Sequence, residues 1–243
     1  YMDTPVALIT GSGKRLGRKM ALALAEAGYD IIINYHQSAN DARKLEKLIR
    51  QIGRQTAVIK ADVRRSDHVK KMFKEAIKKF GKIDVLINNA AIFPKKTELP
   101  NIPESIWDDV IDSNLKSSFL CAQEAAKYML RQKSGKIINI ASLGAFLSWK
   151  NYIPYNVSKA GVVMLTRSLA KALAPDITVN AVAPGTIIVP EEEVLSEHLP
   201  TMDRIPMKKY GKPADITAAV LFLLQNEYIT GQIVGVDGGA TIP

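Results

Sequence analysis

The sequence contains a single cysteine, Cys121, so it cannot form an internal disulfide. A reducing compartment is therefore expected, and we predict a cytoplasmic protein. No uninterrupted apolar run approaches the roughly 20 residues that a membrane-spanning helix needs, and no signal-peptide pattern is present. These absences predict no membrane partner. Low-complexity tracts and fixed-period repeats are also lacking, which favours one compact domain over residues 1–243.

The chain carries a net charge of +9, which could attract a polyanionic partner. Its lysines are nevertheless spread along the chain and interleave with acidic residues on predicted helix faces, as Lys74 does with Glu75. No recognised nucleic-acid-binding motif accompanies this charge. We therefore predict a small-molecule substrate, no nucleic-acid partner and no metal site.

Apolar runs rich in β-branched residues recur seven times and alternate with segments of helical spacing. They predict strands at Val6–Thr10, Ile31–Asn34, Thr56–Ile59, Ile83–Ile87, Lys136–Ile140, Thr178–Val182 and Ile233–Val236. This alternation predicts an α/β fold: a doubly wound, Rossmann-type parallel sheet of about seven strands with helices on both faces. Ligands of such sheets bind at the carboxyl ends of the strands, so the residues that follow each strand are the candidates for function.

The first strand runs into a glycine-rich turn that leads directly into a helix. The turn reads Thr10-Gly11-Ser12-Gly13-Lys14-Arg15-Leu16-Gly17. Backbone amides at a helix N-terminus can bind a pyrophosphate, and glycine lets the ligand approach without a Cβ in the way. A dinucleotide site is predicted here, and a plain structural turn is the alternative.

The end of the second strand indicates which dinucleotide binds. NAD-binding Rossmann folds carry an acidic residue there for the ribose hydroxyls, whereas this segment has no carboxylate. It reads Asn34-Tyr35-His36-Gln37-Ser38. Lys14 and Arg15 are expected to lie near His36 and Ser38, so that cations and hydroxyl donors meet where a 2′-phosphate would bind. NADP(H) is therefore the predicted cofactor. The alternative is that these side chains only face solvent.

Further motifs follow the later strands or begin the helix after the fifth strand, in a fixed order. They are Asn88-Asn89-Ala90-Ala91, Ser142, Tyr155-Asn156-Val157-Ser158-Lys159, Pro184-Gly185 and Val236-Asp237-Gly238-Gly239. Together with the glycine-rich turn, this set resembles the short-chain dehydrogenase/reductase family over essentially the whole chain. Arg15 departs from the family's usual glycine or alanine and resembles the pteridine reductase branch, as do Tyr35–Ser38 and Phe93. Ser142 stands where parasite pteridine reductases carry an aspartate.

The resemblance implies a set of site residues. Those expected around the cofactor are Gly11, Lys14, Arg15, Leu16, Gly17, His36, Gln37, Ser38, Asp62, Val63, Asn89, Ala90, Tyr155, Lys159, Pro184, Gly185 and Ile187. Those expected to act in catalysis are Asn114, Ser142, Tyr155 and Lys159, and those expected to contact substrate are Phe93, Ser142 and Tyr155. Asn114, placed in the long helix after the fourth strand, would support a water-mediated proton relay.

The spacing of Tyr155 and Lys159 has a chemical meaning of its own. Residues four apart project from one face of a helix, so the two side chains can act together. A free phenol has a pKa of about 10, and an adjacent ammonium group together with a cationic nicotinamide is expected to lower it. Tyr155 would then protonate the reduced substrate while Ser142 polarises it. A surface pair and a helix-capping serine are the structural alternatives.

Three functions fit this sequence. The main one is NADPH-dependent reduction of a carbonyl group, as in a 3-oxoacyl thioester or a small ketone. The second is reduction of a C=N bond in a pterin, and the third is a non-catalytic NADPH sensor. Poor periodicity over residues 186–206, including Glu191–Glu193, predicts a lid over the substrate or a solvated loop. The resemblance also implies a homotetramer assembled through the two long helices after the fourth and fifth strands and the C-terminal strand.

Overall fold

The seven predicted strands form one parallel sheet in the computed structural model, which describes residues 4–190, 199 and 201–242. The sheet confirms the predicted α/β fold class, and every strand lies within two residues of its predicted bounds. The strands are β1 (Val6–Ile9), β2 (Asp30–Tyr35), β3 (Thr56–Lys60), β4 (Val85–Asn88), β5 (Gly135–Ile140), β6 (Ile177–Pro184) and β7 (Ile233–Val236).

Helices connect the strands and cover both faces of the sheet. They are α1 (Arg15–Glu26), α2 (Ala39–Gln51), α3 (Ser66–Phe80), α4 (Glu104–Ile111), α5 (Ser117–Gln132), α6 (Ile153–Leu173) and α7 (Pro213–Gln225). A π-helical turn, Asp112–Lys116, joins α4 to α5, so the predicted single helix after β4 is two α-helices with Asn114 in the turn between them. Such turns recur at functional sites, because the extra residue redirects side chains.

The strand order is β3-β2-β1-β4-β5-β6-β7. The chain moves outward from β1 to β3, then returns to the other side of β1 at β4. At this reversal the connections leave the two central strands in opposite directions and open a crevice at their carboxyl ends. The topology therefore places the glycine-rich turn after β1 beside the segment that follows β4.

Alternating side chains of the central strands enter two separate cores. Ala7 and Ile9 of β1 pack with apolar residues of α1, α2 and α7, whereas Val6 and Leu8 pack with those of α3 and α5. Side chains two apart on a strand point to the same face, so both faces of β1 are buried. This burial explains why the sequence of the strand is apolar throughout.

The predicted lid lies partly outside the described residues, which omit 191–198 and 200 and with them Glu191–Glu193. Its first residues are tied to the start of α7, because Ile188 N donates to Gly211 O at 3.0 Å and Gly211 N donates to Thr186 O at 3.0 Å. Closure of this segment over substrate remains a prediction. Among the described residues, no helix combines the length and the apolar character needed to cross a bilayer.

Candidate active site

A cleft of about 890 Å³ opens at the carboxyl ends of the central strands. It brings together all the side chains predicted to contact cofactor or substrate, and of the predicted catalytic residues it lacks only Asn114. The sequence-predicted residues that line it are Gly11, Lys14, Arg15, Leu16, Gly17, His36, Gln37, Ser38, Asp62, Val63, Asn89, Ala90, Phe93, Ser142, Tyr155, Lys159, Pro184, Gly185 and Ile187.

The glycine-rich turn is shaped by close contacts that exclude larger residues. Gly11 has φ +61°, a left-handed conformation that glycine adopts without steric cost. A Cβ on Gly17 would lie 2.6 Å from Asn89 Nδ2 and 2.7 Å from Gly11 O. The lack of a side chain at Gly17 therefore lets α1 start against the turn and leaves room above it for a ligand.

Asn34, which the sequence analysis did not assign to the site, holds this turn in place. Its Oδ1 accepts a hydrogen bond from Gly11 N at 3.1 Å, and its Nδ2 donates to Ala61 O at 3.2 Å. Its main-chain oxygen accepts from Ser12 N at 3.0 Å. Asn34 thus joins the turn to both β2 and β3. A lone buried amide in an apolar strand was the signal that could have identified it.

The first turn of α1 faces the cleft and fits an anionic group. Lys14, at the N-cap, gives this turn no side-chain hydrogen bond within the described chain, and no acidic residue stands there. Helix N-terminal amides and the helix dipole favour a phosphate at such a position. Arg15 has φ +55°, a left-handed conformation that favours glycine.

One end of the cleft carries paired charges. Arg64 donates to both carboxylate oxygens of Asp62, with Nη2–Oδ2 at 2.8 Å, and its Nη1 lies 3.1 Å from Asp109 Oδ1. This hydrogen bonding, more than any other cause, lowers the pKa of Asp62 to about 2. His36 Nε2 lies 3.9 Å from Asp62 Oδ2. Asp62 is therefore an ionised carboxylate whose charge is balanced by Arg64. No feature of the sequence pointed to Arg64.

The segment after β4 is tied to the glycine-rich turn by Thr10. The Thr10 hydroxyl oxygen accepts from Asn89 N at 2.9 Å and Ala90 N at 3.0 Å, and Asn89 Nδ2 donates to Thr10 O at 2.9 Å. Both strand ends at the sheet reversal are therefore held as one unit. This leaves the floor of the cleft rigid where the ribose groups of a dinucleotide would lie.

Ser142, Tyr155 and Lys159 meet at the other end of the cleft. Ser142 follows β5, and the other two lie in the first turns of α6. Ser142 Oγ accepts from Gly144 N at 3.2 Å, and its hydroxyl is close enough to the Tyr155 phenol to lower the pKa of Tyr155. The Lys159 ammonium is buried and lies 5.9 Å from the centroid of the Tyr155 ring. Two hydroxyl groups therefore face one point of the cleft beside a buried cation.

Burial governs the acidity of this group of residues. It raises the pKa of Tyr155 above its ordinary value, against a smaller lowering by the Ser142 hydrogen bond. It also lowers the pKa of Lys159 to about 8. The Lys159 ammonium is not among the causes that set this pKa, and the lowering expected from it together with a cationic nicotinamide remains a prediction. The phenol keeps its proton, which suits a proton donor.

Asn114 does not line the cleft. Its side chain is buried; Oδ1 accepts from Ile92 N at 2.8 Å, and Nδ2 donates to Ile92 O at 3.0 Å and to Ser158 Oγ at 3.1 Å. Ser158 Oγ in turn donates to Tyr155 O at 2.8 Å. The Asn114 side chain therefore supports the two segments that carry the site, and a part in proton relay remains a prediction.

Four aromatic rings gather at the mouth of the site. Phe93 is 48% exposed, and its ring centroid lies 4.7 Å from that of Tyr155 and 4.9 Å from that of Tyr152. Trp149 lies parallel to Tyr155, with centroids 6.1 Å apart. We name Phe93, Trp149, Tyr152 and Tyr155 the aromatic cluster. Only Phe93 and Tyr155 were identified from sequence, because the segment before α6 has no periodic pattern.

Comparison with known proteins agrees with this architecture. A family model described as Enoyl-(Acyl carrier protein) reductase matches residues 11–241. The 3-oxoacyl-(acyl-carrier-protein) reductase FabG of Staphylococcus epidermidis is 43% identical over 238 residues, covering 96% of this chain and 97% of that protein.

Solved structures agree over the same extent. Acetoin dehydrogenase from Enterobacter cloacae has a TM-score of 0.91 and 32% identity, covering 100% of this chain and 97% of its own. A short-chain type dehydrogenase/reductase from Mycobacterium marinum has a TM-score of 0.92 and 33% identity, covering 98% of this chain and 96% of its own. With its parallel sheet, glycine-rich turn and Ser–Tyr–Lys group, the chain belongs to the short-chain dehydrogenase/reductase family of oxidoreductases, which use a nicotinamide cofactor.

Proposed function

We propose that this protein is an NADPH-dependent reductase of a carbonyl substrate, with 3-oxoacyl thioesters as the substrate class. The observation that carries the proposal is the convergence of the Ser142 and Tyr155 hydroxyls beside the buried Lys159. A ketone oxygen placed between the two hydroxyls would accept a hydrogen bond from each, which stabilises the negative charge that develops during reduction. The relative from Staphylococcus epidermidis bears the name of such a reductase.

The proton movements follow from the donors present. Ser142 Oγ accepts from Gly144 N, and its own proton, which faces the Tyr155 phenol in this structure, would turn to polarise the carbonyl oxygen of a bound substrate. Tyr155 keeps its proton because burial raises its pKa, and it donates this proton to the oxygen of the reduced substrate. Lys159 donates to Ile140 O at 2.8 Å and keeps two further N–H donors for cofactor hydroxyls. A bound nicotinamide cofactor supplies the hydride.

Two features of the cleft support NADPH over NADH. Lys14 and Arg15 are exposed at its edge, on the side where His36 and Ser38 follow β2. The nearby carboxylate, Asp62, is paired with Arg64 and therefore repels a 2′-phosphate less than a free carboxylate would. Cationic donors around a phosphate contribute charge-assisted hydrogen bonds that NADH does not receive.

The family description names enoyl reduction, which is a different reaction. Reduction of a C=C bond ends with a proton on carbon, whereas ketone reduction ends with a proton on oxygen. Ser142 and Tyr155 both present hydroxyl donors to one point, and this arrangement suits a single oxygen atom. The relative from Staphylococcus epidermidis is named for the ketone reaction, and its similarity to this chain extends over nearly its whole length. We therefore favour the 3-oxoacyl substrate.

The proposal is tested by the loss of NADPH absorbance with an acetoacetyl thioester, for the purified wild type and for Tyr155→Phe. Turnover by the wild type and a loss of at least about 100-fold in the variant are expected, because the variant keeps the ring and lacks the proton. Binding of NADPH, followed by fluorescence, should be retained in both. Tight NADPH binding without turnover of any carbonyl substrate would instead support the non-catalytic sensor.

The exposed ring of Phe93 favours a second candidate, reduction of a dihydropterin. A ring that is 48% exposed and 4.7 Å from Tyr155 could stack on a planar bicyclic substrate. The same assay with a dihydropterin in place of the thioester separates the two candidates. Turnover of the pterin alone would establish the C=N reaction, and Phe93→Ala should then raise the pterin KM much more than the thioester KM.

A homotetramer is supported by apolar side chains on the outer faces of three helices. Phe119 of α5, Met164 of α6 and Phe222 of α7 are 43%, 58% and 52% exposed. α5 and α6 contact each other on one face of the sheet, and α7 lies on the other. Large exposed apolar side chains are typical of surfaces that a second copy covers. Light scattering coupled to size exclusion should give a mass near four chains. Met164→Glu should lower this mass if α6 lies in the interface.

A further inference from the structure

We infer that Trp149 is a positioning residue for the proton donor: its indole ring holds the Tyr155 ring in the orientation from which the phenol reaches the substrate oxygen. The inference rests on the proposed role of Tyr155 and adds a residue that the family motif does not contain. Within the described chain, Trp149 is not among the residues that line the cleft. It therefore acts through Tyr155 rather than by contact with ligands.

The ring geometry places Tyr155 between two aromatic neighbours. The planes of Trp149 and Tyr155 differ by 4°, whereas Phe93 meets Tyr155 edge-on at 76°. Trp149 also contacts Phe93 edge-on, with centroids 6.4 Å apart. Offset-parallel and edge-to-face pairs are the favoured arrangements of aromatic rings. Rotation of the Tyr155 ring about its Cα–Cβ bond would break both pairs, so the cluster resists it.

Glycine at residue 144 closes the remaining side of the Tyr155 ring. A Cβ on Gly144 would lie 3.0 Å from Tyr155 Cε1 and 3.1 Å from Cδ1. The ring therefore lies against main chain here, with no room for displacement in that direction. Gly144 N also donates to Ser142 Oγ at 3.2 Å. The same short segment thus fixes both hydroxyl groups that face the substrate oxygen.

The backbone of Trp149 is anchored to the helix that carries Tyr155. Trp149 O accepts from Asn156 Nδ2 at 3.0 Å and from Tyr152 N at 3.3 Å, at the start of α6. The neighbouring residue Asn151 accepts from Thr97 N at 3.0 Å through its main-chain oxygen. These bonds fasten the segment before α6 on two sides. The indole is therefore held by a rigid support, as positioning requires.

Burial of Tyr155 supports the same conclusion. Burial is the main cause that raises the Tyr155 pKa, and the rings around the phenol remove water from it. Loss of the indole would therefore admit water and lower the pKa of Tyr155 toward its ordinary value. Reduction needs the protonated phenol, so its rate falls as pH rises through this pKa, which lies above the pKa of about 8 of the neighbouring Lys159 ammonium. The alkaline limb of the pH–rate profile should then lie at lower pH without Trp149.

The test compares Trp149→Leu, which keeps an apolar side chain, with Trp149→Phe, which keeps an aromatic ring. We expect kcat for the carbonyl substrate to fall about 10- to 100-fold in Trp149→Leu, because a displaced reacting group costs a factor of this size. Trp149→Phe should recover kcat to within about threefold. The Kd for NADPH, measured by fluorescence, should stay unchanged in both, and the alkaline limb should move only in Trp149→Leu.

Phe146→Leu is the matched control, since Phe146 lies in the same segment, is 49% exposed and makes no ring contact with Tyr155 among the described residues. It should leave kcat and the pH profile unchanged. An unchanged kcat in Trp149→Leu, or equal losses of kcat and NADPH affinity, would overturn the inference. A fully active Tyr155→Phe would instead overturn the proposed function, so the two failures are distinguishable.

Discussion

The ammonium group of Lys159 donates a hydrogen bond to the main-chain oxygen of Ile140 at 2.8 Å, inside a buried environment. Within the described chain, no carboxylate pairs with this ammonium. Burial lowers the pKa of Lys159 to about 8, which means that the folded protein disfavours the charged form. The site therefore holds a cation at a cost in stability, as residues selected for function often do.

This cost predicts how stability depends on pH. The unfolded chain binds the Lys159 proton up to a pKa of about 10.4, so the penalty is complete below about pH 8 and declines as pH rises toward that value. Lys159→Met should therefore raise the free energy of unfolding by about 1–2 kcal/mol at pH 6.5, after the loss of one hydrogen bond. Urea unfolding at pH 6.5 and 9.5 should show this gain disappearing at the higher pH, and a constant gain would contradict the assigned cost of the buried ammonium.

Arg15→Gly should separate cofactor affinity from stability. The left-handed backbone of Arg15 (φ +55°) is favourable for glycine, which compensates for glycine's greater freedom in the unfolded chain. We expect the free energy of unfolding to change by less than about 1 kcal/mol. The Kd for NADPH should rise about 10-fold and the Kd for NADH little, because only NADPH carries the phosphate. Lys44→Ala, on an exposed face of α2, is the control.

Arg64→Gln should make NADPH binding dependent on pH. Without the guanidinium, Asp62 loses the hydrogen bonds that hold its pKa at about 2, and its unpaired charge would repel the 2′-phosphate. The Kd for NADPH should increase more than the Kd for NADH at pH 7.5. As pH falls through the raised pKa of Asp62, the carboxyl becomes neutral and NADPH affinity should recover. Equal losses for both cofactors at all pH values would argue against this role of Arg64.

Gly17→Ala should abolish dinucleotide binding through the backbone. The new Cβ would lie 2.6 Å from Asn89 Nδ2 and 2.7 Å from Gly11 O, so the turn and the segment after β4 must move apart. We expect a Kd for NADPH at least about 100-fold higher and a loss of about 1–3 kcal/mol in unfolding free energy. Gly235→Ala is a useful comparison, because no atom lies within 4 Å of its Cβ position and its backbone is not left-handed. It should leave NADPH affinity unchanged.

Ser142→Ala should lower kcat about 100-fold and change the Kd for NADPH little. The variant removes one of the two hydroxyl donors that face the substrate oxygen, and loss of one such donor costs about this factor. Ser148→Ala, at an exposed position in the same connection, is the matched control. A KM effect without a kcat effect would show that Ser142 binds the substrate without stabilising its charged oxygen.

The sequence alone determined the succession of strands and helices along the chain and the set of side chains at the strand ends. Apolar β-branched runs predict buried strands because both faces of a parallel sheet are covered, and the observed strands agree to within two residues. Gly11, Gly17, Ser142, Tyr155 and Lys159 could be predicted because their motifs, in this order along the chain, resemble those of the family. All of them line one cleft.

The tertiary structure decided what depends on neighbours far away in the chain. Phe93 meets Trp149, and Arg64 meets Asp109, through folding that no local pattern encodes. Burial determines the direction of the Tyr155 pKa, and burial is the sum of packing from several elements. Sequence spacing indicates which side chains share a helix face, whereas the solvent around them depends on the assembled fold. The local sequence therefore identifies the proton donor, whereas the packing of the whole fold around it determines its pKa.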